Sequence, residues 1–150
     1  MEVTRGDITW KVFDFAFKTH GHYISETWSQ TVAFARTGSF VIPEFILTQR
    51  KFFKSAADIT CKNNVEFKDF PEFGKKYCLE GKDVSLVLRF FTPPAIRFFL
   101  VKDMQITIEA KGNQVIFYRF NKQTNPKDIA GFVAEASQIM QMLTGDLNTK

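Results

Sequence analysis

The sequence predicts an α+β fold: a mostly antiparallel sheet of six to seven strands with a C-terminal helix packed on it. Three observations carry this prediction. The N-terminal third alternates apolar and polar side chains between turn signals, as the strands of a meander do. Met104 to Asn121 repeats that alternation on either side of Gly112-Asn113. From Ile129 to Leu143 the apolar residues recur at three- and four-residue steps, the period of a helix lying on a core.

The elements follow in order along the chain. Ile8 to Thr19 puts Phe13, Phe15 and Phe17 on one face of a strand, and all three are expected in the core. Thr19-His20-Gly21-His22 reads as a turn, Tyr23 to Arg36 as the returning strand, and Thr37-Gly38-Ser39 as a second turn. Phe40 to Thr48 is extended again; Pro43, which has no N–H for a ladder, marks an edge position or a bulge. Gln49 to Ala57 reads as a short amphipathic helix, with Arg50, Lys51 and Lys54 opposite Phe53, Ala56 and Ala57. Asp58 to Phe67 is ambiguous between loop and short strand. Lys75 to Glu80 is a strand closed by a Glu80-Gly81-Lys82 turn.

Asp83 caps a helix through Leu86, Leu88 and Phe91, and Pro93-Pro94 opens another toward Leu100. In the hairpin, the Gly112-Asn113 turn sets Ala110 opposite Val115 and Ile108 opposite Phe117. This gathers Ile106, Ile108, Ala110, Val115 and Phe117 on one face. The other still carries Ile116, Tyr118 and Phe120, so both faces are expected to be partly covered. Asn125 caps the last helix, Pro126 takes its first position and Gly145 stops it. Ile129, Phe132, Val133, Ala136, Ile139, Met140 and Leu143 form its core stripe. A small barrel capped by this helix, like pleckstrin-homology modules, is the alternative arrangement of the same elements.

Residues 1–150 are read as a single domain, long enough to bury a core without metal or disulfide help. Phenylalanine is over-represented, with 18 copies against 3 Tyr and 2 Trp, more rings than one small core readily hides. A pocket or an interface is expected to take the surplus. The net charge of +4 is spread evenly, so a nucleic-acid stripe is not indicated, although a pI near 9.1 suits anionic partners. Cys61 and Cys78 lack a C-x-x-C pattern and read as free thiols in a reducing compartment, with a single disulfide as the alternative. The start of the chain has no apolar run of a signal peptide, and no run approaches membrane-spanning length.

A series of short motifs adds a resemblance. Val12-Phe13-Asp14-Phe15, Ile42-Pro43-Glu44-Phe45-Ile46-Leu47, Phe70-Pro71-Glu72-Phe73 and Tyr77-Cys78-Leu79-Glu80-Gly81-Lys82-Asp83 form its first part. Phe91-Thr92-Pro93, Ile116-Phe117-Tyr118-Arg119 and the closing helix complete it. From Asp7 to Leu143 the chain resembles a broad family of uncharacterised bacterial proteins carrying a domain of unknown function. In that family the domain often follows transmembrane helices and faces the cytoplasm. The resemblance implies a module that stands free or forms the cytoplasmic part of a membrane-associated protein, and it brings no catalytic residues.

Candidate chemistry is thin. His20 and His22 could ligate one metal from a strand, but a site needs further ligands and Gly21 marks a turn there. Cys61 or Cys78 as a nucleophile would need a lowered pKa and a base in reach, neither visible in sequence, and Cys78 reads as a buried structural thiol. Asp14 interrupts an apolar strand and is assigned to solvent or to a cross-strand hydrogen bond. No cofactor is expected, and no enzyme motif is present.

Two surfaces stand out instead. Arg50, Lys51 and Lys54 beside Phe52 and Phe53 form a basic, aromatic face of the kind that touches anionic membranes. On the closing helix Ala130, Ala134, Ser137, Gln138 and Gln141 are small or uncharged, which points to burial in a homodimer or under a second layer of the same chain. With Phe120, these are the expected interaction residues. The expected function is a non-enzymatic binding or regulatory module; a carrier of a lipid or other apolar ligand in a Phe-lined cavity comes second and an enzyme last.

Overall fold

The structure is a computed structural model that describes residues 1–21, 23, 25–39, 41–52, 61, 63–103 and 105–145, with the backbone alone at Phe52. Seven strands are present among these residues: β1 (Glu2–Arg5), β2 (Ile8–His20), β3 (Ser25–Thr37), β4 (Ile42–Gln49), β5 (Tyr77–Gly81), β6 (Thr107–Gly112) and β7 (Gln114–Tyr118). They pair antiparallel in the order β1-β2-β3-β7-β6-β4-β5. β1 and β5 are edges that do not meet, so the sheet is open and the barrel arrangement does not form. The helices are α1 (Pro71–Lys76), α2 (Val84–Phe90), α3 (Pro93–Val101) and α4 (Ile129–Thr144), with short 3-10 turns at Arg50–Phe52 and Pro126–Asp128.

Local chemistry accounts for most of these elements. Gly112 adopts φ +65 at the first position of the β6–β7 turn, and the pairing is Ala110 with Val115 and Ile108 with Phe117, as the spacing requires. Gly6, at φ +59, makes the equivalent two-residue turn between β1 and β2, an N-terminal strand that the sequence reading missed. Pro43 sits where the β4–β6 register shifts between Ile42 and Phe45, so an interior strand accommodates it through a bulge. The Asp83 side chain accepts from Leu86 N at 3.3 Å and caps α2, although Leu86 and Leu88 on that helix face solvent. Pro71 and Glu72 open α1, a short helix absent from the sequence reading. Asn125 stands at the N-cap position of the 3-10 turn, not of α4, and its side chain makes no capping bond; Gly145 keeps a right-handed φ of -54, so α4 ends without a left-handed cap.

The core lies on one face of the sheet. Val12, Ala33, Phe117, Ile108, Leu47 and Leu79 follow one another across six strands, and the next row supplies Trp10, Ala35, Val115, Ala110 and Phe45. These residues form a single hydrophobic cluster with Phe73 of α1, Val87 of α2, Ile96 and Phe99 of α3, and the predicted stripe of α4. The surplus of phenylalanine is partly explained here. Phe45, Phe67, Phe73, Phe90, Phe91 and Phe99 pack ring against ring at 5.0 to 6.5 Å.

Phe13, Phe15 and Phe17 correct the core assignment. Phe13 is 45% and Phe15 48% exposed, and Phe17 is half-buried. They do share one face of β2, but the helices dock on the other, where Trp10 and Val12 are buried. Alternation identifies residues that travel together; it does not say which set the helices cover.

Candidate functional site

The face of the sheet turned away from the helices is the most distinctive surface of the molecule. One row crosses all seven strands: Glu2, Lys11, Phe34, Ile116, Glu109, Ile46 and Glu80 are successive register partners. A second row runs Phe13, Val32, Tyr118 and Thr107. Phe34, Ile116 and Tyr118 are half-buried and Ile46 is 45% exposed, while Val32 and Thr107 in the second row are buried, so partly exposed apolar and aromatic side chains run from β2 to β4. An antiparallel sheet that meets water on one face normally turns polar side chains to that side. A contiguous apolar face is the signature of a contact surface.

Charge is placed sparingly on this face. Glu109 lies between Ile116 and Ile46 and accepts a hydrogen bond from the Tyr118 hydroxyl. Burial pushes its carboxyl above the ordinary value, an effect that the Tyr118 bond opposes. Burial also raises Tyr118, and the neighbouring Glu109 charge adds to that shift. Arg36 lays its guanidinium 5.8 Å from the centre of the Phe34 ring. Lys11 reaches Glu2 at 3.4 Å across the β1–β2 ladder, an exposed pair of little strength.

Beyond the last β3–β7 partners the β2–β3 hairpin continues as a two-stranded arm, and the aromatic face continues along it. Phe15 and Phe17 stand 5.8 Å apart, and Trp28 packs 5.1 Å from Phe120, which is 47% exposed. The root of the arm is fastened to the segment after β7. Ser29 N donates to Asn121 Oδ1 at 3.1 Å, Asn121 N to Gln30 Oε1 at 3.2 Å, and Thr124 N to Thr31 Oγ1 at 2.7 Å. Asn121 takes φ 52 to make this turn. Asp14 has the cross-strand partner expected of it, Thr31 Oγ1 donating at 2.6 Å.

The other candidates are dispersed. His20 is exposed at the end of β2, and His22 lies outside the described residues. Cys61 and Cys78 are joined in a disulfide with a Cα–Cα distance of 6.0 Å, which corrects the free-thiol reading. The fold forms this pair: Asn64 bridges Glu80 and Val65 N donates to Leu79 O at 2.7 Å, so the segment after Cys61 runs alongside β5. Ligand atoms of Cys61, Cys78 and Glu80 gather within 4.8 Å, but sulfurs bonded to each other are not thiolate ligands.

The predicted basic helix is, within the described residues, a single 3-10 turn, since Gln49 still belongs to β4. Arg50 Nε donates to Gly74 O at 2.7 Å, and Lys51 binds both Asp103 oxygens at 2.8 Å. Phe53, Lys54 and the Phe52 ring lie outside the described residues. Beside Arg50 a cleft of about 370 Å³ opens among Asn64, Glu66, Phe67, Lys68 and Lys75. Two of its polar groups already serve the backbone, Arg50 as above and Asn64 Oδ1 accepting from Leu79 N at 3.0 Å. On α4, Ala130, Ala134, Gln138 and Gln141 are exposed, so no second layer of the described chain covers them; Ser137 is half-buried and Lys102 Nζ donates to Gln138 Oε1 at 3.2 Å.

No single described helix is long and apolar enough to cross a membrane; α2 and α3 pass that test only as a pair bent by 75°, and they bury Val87, Ile96 and Phe99 in the core. No protein-family model matches the chain, and neither a curated protein nor a solved structure does.

Proposed function

We propose that this chain is a non-enzymatic binding module whose docking surface is the outer face of its sheet. One observation carries the reading: Phe34, Ile116 and Ile46, in a row that Glu109 interrupts between β7 and β4, stay partly exposed with Phe13 and Phe15 alongside, on a sheet whose other face packs under the helices. Membership of the bacterial family that the motifs resemble belongs to the same proposal, and so does placement at the cytoplasmic face of a membrane. The Cys61–Cys78 disulfide argues for more oxidising surroundings, and thiol trapping of the native protein distinguishes the two.

Site-specific photo-crosslinking in cells tests the docking surface. A photoreactive phenylalanine analogue replaces Phe13 or Ile46 on the outer face, or the exposed Lys127 beside α4 as a control. Adducts from the outer positions and none from the control are expected. Adducts from the control alone would overturn the reading.

A further inference from the structure

We infer that the occupant of the outer face is a second copy of this chain, stacked sheet on sheet about a two-fold axis that runs parallel to the strands between β3 and β7. This rests on the reading of that face as the docking surface, and it follows from the register. Lys11, Phe34, Ile116 and Glu109 stand in one row on the consecutive strands β2, β3, β7 and β6. A two-fold axis midway between β3 and β7 reverses that order in the second copy. Phe34 then faces Ile116 of the other chain, and Lys11 faces Glu109, each contact made twice as an isologous interface demands.

The neighbouring rows obey the same operation. Tyr118 and the exposed Phe13 stand over Val32 and Thr107 of the other chain, both already buried within their own; on the other side Arg36 meets Gln114 and Thr9 meets Lys111. No like charges are opposed in these three rows. At the rim Ile46 faces Glu2. The match is specific to this axis. Moved half a strand onto β7, it would set Phe34 over Glu109 and Lys11 over Ile46. Moved onto β3, it would set Glu2 over Glu109 and Lys11 over Ile116. Both alternatives bury charges against apolar groups or against like charge.

Stacked sheets lie about 10 Å apart, a gap that Lys11 can span, and their strands cross at about -30°. The register therefore holds best near the axis, where Phe34 and Ile116 are. Glu109 also suits a partner cation: it is half-buried among Ile116 and Ile46, and among the described residues no ion pair reaches it. Lys11 gives up only its exposed contact with Glu2.

Charge reversal tests the pairing without reliance on any one variant. Sedimentation velocity of the whole chain over a concentration series is expected to show a monomer–dimer equilibrium. Lys11→Glu and Glu109→Lys each oppose like charges and should weaken self-association at least about tenfold. An equimolar mixture of the two variants should associate as the unmodified chain does, because every substituted side chain then meets its complement. Should either variant melt well below the parent, Phe34→Lys mixed with Ile116→Glu repeats the test at the axial pair.

A parent chain that stays monomeric, or variants that dimerise like the parent, would overturn the inference, as would a mixture no better than its components. Photo-adducts from Phe13 or Ile46 to other proteins, with a monomeric parent chain, would leave the docking reading standing and remove the dimer. A monomeric chain whose adducts come from the control position alone would remove both.

Discussion

The hydroxyl of Tyr77 lies beneath the Phe73 and Phe99 rings and donates to the Phe99 carbonyl at 2.8 Å, while Gln49 Nε2 approaches it at 3.4 Å. Burial raises its pKa to about 12, the Gln49 contact opposes the shift, and the Asp103 charge adds to it. A folded-state pKa above the unfolded 10.0 means that the unfolded chain releases this proton first. Stability from Tyr77 is therefore complete below pH 10 and falls as pH rises toward 12. Tyr77→Phe is expected to cost about 1 kcal/mol at neutral pH by removing one of the two side-chain donors to the Phe99 carbonyl, Lys76 Nζ at 3.1 Å being the other, and to flatten the alkaline loss between pH 10 and 12. Urea titrations across that range measure both. Arg119 is a second residue that ties layers together, bonding Glu135 of α4 at 2.5 Å with its guanidinium 5.0 Å from the centre of the Phe132 ring.

Among the elements, β5 and the strand-like segment beside it show how a sheet edge is finished. The edge is closed by the Asn64–Glu80 bridge and by the Cys61–Cys78 bond, which spans 17 residues of chain. A loop of that length restricts the unfolded chain by about 3 kcal/mol. Reduction, or the paired change Cys61→Ser with Cys78→Ser, should lower the melting temperature by roughly 6 to 12 °C for a domain of this size. Scanning calorimetry with and without a thiol reductant checks this, and an unchanged melting temperature would contradict it. The opposite edge is β1, joined to β2 through Gly6 in the left-handed region. Its signal was a two-residue turn, Gly6-Asp7, too close to the N-terminus to show a strand period. The α1 helix escaped for a similar reason, because one and a half turns give no repeat to count.

At the scale of the whole molecule, the sheet has one face packed under helices and one face left apolar. Equivalent aromatic residues on the two faces should therefore respond differently to substitution. Phe117→Ala, at 0% exposure in the core, is expected to lose about 3 to 5 kcal/mol. Phe15→Ser, on the outer face, should change monomer stability by less than about 1 kcal/mol, since its ring keeps much of its contact with water. Chemical denaturation of the two variants at low protein concentration makes the comparison. If Phe15 proves as costly as Phe117, then β2 is covered on both sides and the docking surface lies elsewhere.

The sequence alone determined the elements whose signals are local: the β6–β7 register through Gly112-Asn113, the Asp83 cap and the α4 stripe from Ile129 to Leu143; at Pro43 it left an edge position or a bulge open. Each depends on covalent neighbours within one or two turns of chain, and periodicity records those faithfully. It also identified Phe13, Phe15 and Phe17 as companions on one face. Tertiary structure decided which way that face looks, because the choice belongs to the helices that settle on the sheet. It decided in the same way that Cys61 meets Cys78, and that Lys11, Phe34, Ile116 and Glu109 stand in one row. Cys61 and Cys78 are 17 positions apart, Lys11 and Phe34 23, and Phe34 and Ile116 82, and no local period encodes those pairings.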